Sequence, residues 1–375
     1  MEAAFEKEKE FIKSAVPTWK DLQAGDISFQ VMLGGTRELY KVTASKEGVQ
    51  PEIVLLRKFR PTSDPERNKL ESYFFEILSS NGLSPRCFGQ NEQCRVEEFL
   101  EGRTLTTKEL TNKVLRRKLA MQLGRLHSLT LDKLDKKSNL VLNCIKMFPM
   151  IFQKKYENKS FKETDLEFIE EVKYIYGKEE TEFIRSICSN EEDIVISHND
   201  LWSTNVLFNE KTSEFTFIDL EGISYNFADF DLGKILLEPV FYRDRPTCTY
   251  ELREDNFPSD EDIIDFLRYY LVSRKKGIID QAHADSVARD LALLEELEVK
   301  LFPKKEDHDV AIMKLRKQVL TGVVVSSYTL AMALVAITSR DPIKEYMKNM
   351  DYFQWARDAH QLYKKFKLML EKSAE

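Results

Sequence analysis

The residues equipped for chemistry are concentrated between Ile194 and Leu237, in IVISHNDLWSTNVLFNEKTSEFTFIDLEGISYNFADFDLGKILL. Two short apolar runs, Ile194–Ser197 and Phe215–Ile218, have the length and composition of strands, and each ends in acidic or amide residues. After the first come His198, Asn199 and Asp200, with Asn205 five residues beyond the Asp; after the second come Asp219 and Glu221. Two strand-loop units of this kind suit phosphoryl transfer. That reaction needs little covalent help from protein, but it needs a hydroxyl placed in line and phosphate charge neutralised by Mg2+, a hard ion that takes oxygen ligands. Asp200 is therefore read as the residue that orients or deprotonates the acceptor hydroxyl, and Asn205 and Asp219 as metal ligands. If residues 219–221 stay extended, Glu221 points to the same side as Asp219 and becomes a second metal carboxylate, because side chains two apart on a strand share a face. A lone His-x-Asp or Asp-x-Glu satisfies turns in many proteins. The joint pattern carries the reading.

HNDLWSTNVL, followed by FIDLEGISYNFADFDLGK, resembles the choline/ethanolamine kinase family, whose catalytic loop has the form HNDxxxxNIL and whose metal loop has the form IDFEYxxxNxxxFDIGNxFxE. His198, Asn199, Asp200, Asn205, Asp219, Glu221, Asn226, Phe230, Asp231, Gly233 and Glu238 stand at matching positions. Protein kinases and aminoglycoside phosphotransferases share only the Asp, Asn and Asp of this set, so the stretch from Asn226 to Asp231 carries the assignment. The resemblance implies a two-lobe, protein-kinase-like α+β fold. A small β-rich nucleotide lobe would cover residues 1–100, and a large, mainly helical lobe for catalysis and acceptor binding residues 101–375. It further implies ATP as co-substrate, Mg2+, and phosphorylation of a small amino alcohol, choline first and ethanolamine second, feeding phospholipid head-group synthesis. A related kinase with an aminoglycoside-like or sugar acceptor, and a catalytically dead kinase-like binding module, stay open as alternatives. A protein kinase is disfavoured by Asp-Leu-Glu where Asp-Phe-Gly would stand.

Composition sets the outer bounds. With 375 residues, 42% of them hydrophobic, the chain can bury a core large enough for two lobes. A net charge of −7 and a pI near 5.6 argue against a nucleic-acid footprint and suit a cationic substrate. Cys87, Cys94, Cys144, Cys188 and Cys248 form neither a CxxC nor a Cys/His cluster, which predicts reduced thiols and a cytoplasmic setting. MEAAFEKEKEFIK at the N-terminus has no apolar core of a secretory signal. The 17-residue uncharged run Thr321–Ile337, interrupted by Ser326, Ser327, Tyr328 and Thr329, reads as a buried core helix, so no transmembrane segment is expected. The oligomeric state is left open, a homodimer included.

The elements that must position these residues begin with a short amphipathic helix within residues 1–16, anchored by Phe5, Phe11 and Ile12. Strand Ile27–Leu33, Gly34-Gly35-Thr36 and strand Leu39–Val42 form a hairpin whose glycines let backbone amides approach phosphate oxygens. The family form GGxTNxLYKV is one residue longer. Strand Ile53–Arg57 ends in a cation, and a helix follows with Leu70, Phe74, Ile77 and Leu78 on one face together with Glu71. Kinases pair a strand cation with such a helix carboxylate to hold the cation against phosphate. Arg57 and Glu71 are assigned to that pair, the Arg replacing the usual Lys. Asn81-Gly82 closes the helix. A strand from Arg95 then runs into a hinge at residues 98–104, where the resemblance places adenine against the main chain of Glu98, Phe99 and Leu100.

In the large lobe Leu115, Leu119, Leu123, Leu126 and Leu129 trace a helical stripe, with His127 as a structural histidine. Residues 130–160 read as an exposed connector, and 164–188 and 258–275 as helices, the latter capped by Ser259. The resemblance implies an acceptor pocket in which ring faces and carboxylates hold an ammonium. Glu238 and Tyr352 match lining positions, and Tyr225 is taken as a further pocket residue. The family's Tyr after Asp-x-Glu is Gly222 here, and two tryptophans are Leu330 and Ala333; Tyr225, Phe241, Tyr242, Tyr328 and Trp355 are the aromatics available to rebuild part of the cage. Trp202 stands where the family commonly has a Gln near nucleotide. It is grouped with the nucleotide residues, with stacking on substrate or shielding from water as the other two roles.

Overall fold

The computed structural model describes residues 5–32, 38–59, 65–131, 140–157, 173–174, 177–188, 193–243, 250–276, 280–338 and 352–373. The chain divides into two compact units, Met1–Arg103 with Leu207–Glu221, and Thr104–Val206 with Gly222–Glu375. A single boundary near residue 100 therefore misses a return of the chain: the segment bearing Asp219 and Glu221 folds with the N-terminal unit.

In the first unit a five-stranded antiparallel sheet has the order β1 (Ile27–Met32), β2 (Glu38–Ala44), β3 (Ile53–Lys58), β5 (Cys94–Glu98), β4 (Cys87–Gln90). The period-two alternation splits it into two functions. Val42, Ala44, Val54, Leu56 and Val96 are buried in one cluster with Ile12 of α1 (Glu6–Ala15), Val16 and Trp19. Arg57, Arg95 and Glu97 lie on the opposite face and are also buried. On α2 (Pro65–Ser80) the buried side chains are Glu71, Phe74, Phe75 and Leu78. Leu70 is 37% exposed, so the buried face is rotated toward Phe75 from the one the sequence spacing predicted. The helix ends at Gly82 (φ 65°), with the Leu83 amide donating to the Leu78 carbonyl at 2.9 Å, the left-handed closure expected of Asn-Gly.

The second unit is mostly helical. The Asn112 side chain caps α3 (Lys113–His127) by accepting from the Val114 and Leu115 amides, and α3 packs on the helix Asp260–Arg274, whose cap is Ser259. Half of the stretch read as a connector is instead α4 (Leu140–Glu157), with Val141 and Ile145 buried one turn apart; Pro149 inside it masked the pattern. Of the helix read at 164–188, residues 178–187 are helical and most of the rest lies outside the described residues. One described helix, Lys305–Thr338, is long and apolar enough to cross a membrane, and 78% of its apolar window is buried inside the protein. It crosses the helix Ala228–Leu237 backbone to backbone. A Cβ on Gly233 would sit 2.1 Å from the Gly322 carbonyl carbon, and one on Gly322 1.8 Å from the Asp229 carbonyl oxygen. Only glycine fits at either position, and the crossing fixes the helix that carries Asp231 and Lys234. Beside it, the antiparallel strands Ile194–Ser197 and Ser224–Phe227 pair Ser197 with Ser224 and deliver the chain to His198.

Candidate active site

In the second unit the loop after Ser197 is tied at its backbone. Asn199 adopts a left-handed conformation (φ 67°), and its amide nitrogen donates to the Gly222 carbonyl and to Ser224 Oγ, both at 2.9 Å, while its Oδ1 accepts from Asn226 at 2.7 Å. Asp231, fully buried, accepts from the His198 amide at 2.7 Å and the Asn199 amide at 2.9 Å. It also contacts His127 Nε2 at 3.3 Å, and His127 Nδ1 meets the Tyr270 hydroxyl at 2.9 Å. Burial works to raise the Asp231 pKa, but the bonds from His127 and the backbone prevail and keep it below the usual carboxylate value. Burial depresses the His127 pKa, so this histidine is structural, as expected from sequence. Asp231 entered the sequence reading only as a family match. Its role as the staple of the loop was missed, because nothing local to residue 231 shows that His198 and Asn199 present two amides to it.

Asp200 follows that staple, with a side chain 45% exposed. Its Oδ1 accepts from Trp202 Nε1 at 2.7 Å and from Lys234 Nζ at 2.8 Å. The surrounding protein would raise its pKa, but the Lys234 ammonium outweighs that and holds it below the ordinary value, so the group is a carboxylate at neutral pH. Asn205 donates to the Asp200 carbonyl oxygen at 2.7 Å, leaving its own Oδ1 as the atom for a ligand. Lys234 stands where the family form has Asn. It also donates to the Asn199 carbonyl oxygen at 3.2 Å and lies 4.6 Å from the centre of the Trp202 ring.

The aromatic residues gather around Trp355, with ring centres of Tyr250 at 5.4 Å, Trp202 at 5.9 Å, Phe241 at 6.1 Å and Tyr352 at 6.5 Å. Trp202, grouped by sequence with nucleotide residues, is thus packed among these rings and against Asp200. Glu238 is fully buried, bonded to Ser203 through its amide and hydroxyl and to Arg243 at 2.7 Å; burial raises its pKa, and Arg243 offsets part of that. Its carboxylate is therefore already matched by an internal cation. Arg243 also covers the faces of Trp202 at 4.8 Å and Trp355 at 5.6 Å. Tyr225 is a core residue whose hydroxyl donates to the Leu131 carbonyl at 2.9 Å. Tyr328 packs on Tyr363, and Tyr242 carries Arg253, so of the five candidates for rebuilding the cage only Phe241 and Trp355 join the cluster. Tyr250 was missed because its spacing carries no local signal.

In the first unit the Arg57–Glu71 pair is not made directly. Arg57 Nε donates to Glu97 Oε1 at 2.9 Å, Arg95 Nε donates to the same oxygen at 2.9 Å, and Arg95 reaches Glu71 at 3.4 Å. The register explains the substitution. Strand pairing sets Arg57 directly opposite Arg95, and like charges in that position repel unless an anion is shared. Glu97, two residues from Arg95 on the same face, supplies it. The other side of Arg57 lies 3.7 Å from Asp219. Burial opposes its charge, but Glu97 and Asp219 raise its pKa, so it stays a cation.

Asp219 has φ 58° and is 37% exposed, and Leu220–Gly222 form a tight turn. The extended conformation on which the case for Glu221 rested is therefore absent, and only the family match supports that residue. In the hinge, Glu98 N–H is taken by the Arg86 carbonyl at 2.8 Å. Among the described residues, the main-chain groups of Phe99 and Leu100 have no such partner. Gly34, Gly35 and Thr36 lie outside the described residues.

The family model for choline/ethanolamine kinase matches residues 29–364. A probable ethanolamine kinase of Arabidopsis thaliana is 26% identical over 289 residues, covering 74% of this chain and 72% of that protein. A choline/ethanolamine kinase of Homo sapiens is 25% identical over 270 residues, covering 69% and 67%. The crystal structure of a choline kinase from Cryptosporidium parvum superposes with a TM-score of 0.69 at 18% identity, over 98% of this chain and 97% of that one, which establishes a shared protein-kinase-like α+β fold. With a family match spanning most of its length, the chain belongs to the choline/ethanolamine kinases.

Proposed function

We propose that the chain transfers a phosphoryl group from ATP to the hydroxyl of choline or ethanolamine, a step of phospholipid head-group synthesis. The observation that carries this reading is the state of Asp200: ionised, half exposed, on a loop whose backbone is stapled by Asp231, with one carboxylate oxygen fixed by Lys234 and Trp202. Oδ2 accepts from Asn205 Nδ2 at 3.3 Å and has a further lone pair to accept from an acceptor hydroxyl. With its pKa held low, Asp200 acts more by orienting the nucleophile than by removing its proton early. Arg57, held between Glu97 and Asp219, is the cation for the phosphates, and Glu71 acts on it through Arg95. The main chain of residues 98–104 carries adenine, and Gly34, Gly35 and Thr36, outside the described residues, are assigned to the phosphates by the family resemblance. Glu238, Tyr352 and Trp202 belong to the acceptor side.

The donor set fits Mg2+. Among the described residues no three His, Cys, Asp or Glu side chains form a metal cage, whereas Mg2+ commonly takes one or two protein oxygens and completes its shell with phosphates and water. Asn205 Oδ1 and Asp219 are hard oxygen donors of that type, and the ion would neutralise phosphate charge. Glu221 is a further ligand by family match alone. The free thiols of Cys87, Cys94, Cys144 and Cys188 support a cytoplasmic setting.

The test is a product assay with ATP, Mg2+ and choline, ethanolamine or their methylated intermediates, run beside Asp200→Ala. Turnover of an amino alcohol by the parent and a loss of about a thousandfold or more in the variant are expected, since a positioned catalytic group contributes roughly 10²–10⁴. Activity retained by Asp200→Ala would overturn the role given to that residue.

A further inference from the structure

We propose that Lys234 determines acceptor specificity, setting the pocket to take a primary ammonium in preference to a quaternary one; the inference rests on the amino-alcohol reading above. Two carbons separate hydroxyl from nitrogen in such an acceptor. A hydroxyl presented to Asp200 therefore brings its cation among the side chains around that residue. Four of the groups there that can attract a cation, the carboxylates of Asp200 and Glu238 and the ring faces of Trp202 and Trp355, already hold a protein cation. Lys234 is 2.8 Å from Asp200 Oδ1 and 4.6 Å from the Trp202 ring centre. Arg243 is 2.7 Å from Glu238, 4.8 Å from Trp202 and 5.6 Å from Trp355.

A trimethylammonium group donates no hydrogen bonds, so its recognition depends on ring faces and unneutralised carboxylates. The carboxylates and the two tryptophan faces nearest Asp200 are engaged here, and entry places it beside two like charges. A primary ammonium is smaller and has three donors, so it can share Asp200 and the Asn199 carbonyl with Lys234 instead of needing a vacant ring. Lys234 cannot be withdrawn with its helix, because Gly233 is locked against Gly322.

The experiment compares kcat/KM for ethanolamine and choline, at saturating ATP and Mg2+, in the parent, Lys234→Met, Lys234→Gln and Lys234→Arg, with choline binding followed by titration calorimetry. The ratio cancels any common effect on Asp200. A parent preference for ethanolamine of about tenfold or more is expected, and the Met and Gln variants should move the ratio toward choline by about tenfold, mainly through choline KM and its Kd. Lys234→Arg, which keeps the charge, should retain the parent ratio. A parent that prefers choline, neutral variants whose ratio stays within about twofold of the parent, or an Arg variant that shifts as far as Met would each overturn the proposal. If the parent turns over neither amino alcohol while still binding ATP, the amino-alcohol reading fails, and that outcome is distinct from a changed ratio.

Discussion

Replacing Glu97 with Gln tests the buried charge cluster of the first unit. Glu97 Oε1 accepts from Arg57 and Arg95 at 2.9 Å each, and the pairing of β3 with β5 sets the two arginines opposite one another. An amide keeps the shape and one carbonyl oxygen but cancels the charge. Two charge-assisted bonds at about 1.5–3 kcal/mol each set the upper scale, and breaking one member of a buried ion cluster costs about 3–5 kcal/mol. Since the amide oxygen retains part of the bonding, a loss of about 3 kcal/mol is expected. With a urea slope of roughly 2 kcal/mol/M, the transition of this unit should move down by about 1.5 M. KM for ATP should rise, because Arg57 is no longer fixed for phosphate. Adding Arg95→Leu to Glu97→Gln should recover part of the lost stability, since it removes the opposed cation. A midpoint shift under about 0.5 M, or a double variant whose loss is the plain sum of the singles, would refute the shared-anion argument.

Gly233→Ala gives a sign test. Helix propensity favours Ala by about 1 kcal/mol, but a Cβ 2.1 Å from the Gly322 carbonyl carbon forces two backbones apart, so a net loss of about 3 kcal/mol or more is expected in thermal or urea unfolding. Equal or higher stability would show that the crossing yields. Asp229 provides a pH dependence, since burial and the nearby Asp193 raise its pKa from 3.8 to about 7. Its folded-state pKa lies above the unfolded one, so the folded chain holds the proton longer. Stability from this group is fully present below about pH 3.8 and declines as pH rises to about 7. The Tm of Asp229→Asn relative to the parent should therefore climb across that window and level off above it, and a pH-independent difference would contradict the assignment.

Part of the site's layout was readable in the sequence because it is local. Asp200 and Asn205 sit on one loop, and strand alternation alone predicts that Arg57 and the adjacent apolar residues face opposite ways. What escaped depends on pairing between distant segments. Arg57 was given to Glu71 from kinase precedent, but the register that brings Arg95 opposite, and so recruits Glu97, cannot be read without knowing that β3 and β5 are neighbours. The extended-strand argument for Glu221 failed for a local reason of the opposite kind: the strand ends at Phe217, and Asp219 turns left-handed before the tight turn at residues 220–222. α4 was overlooked because Pro149 is a strong breaker in isolation, while the burial of Val141 and Ile145 that compensates for it is tertiary.

On the proposal above, the run Phe230-Asp231-Leu232-Gly233-Lys234 divides structure and specificity along a single helix. Phe230 and Leu232 are buried, Asp231 holds the His198 and Asn199 amides, and Gly233 permits the backbone crossing, so these four determine where the catalytic loop stands. Lys234, one residue on, contributes only its side chain to Asp200, Asn199 and Trp202. The family form differs from this chain at residue 234 by an Asn, which would leave the staple untouched while taking a cation away from Asp200 and Trp202. On the proposal that Lys234 sets acceptor preference, substitution at 234 leaves the Asp231 bonds to the loop in place while altering Asp200 and Trp202, so the choline-to-ethanolamine ratio should respond to residue 234 and the stability of the loop to residue 231.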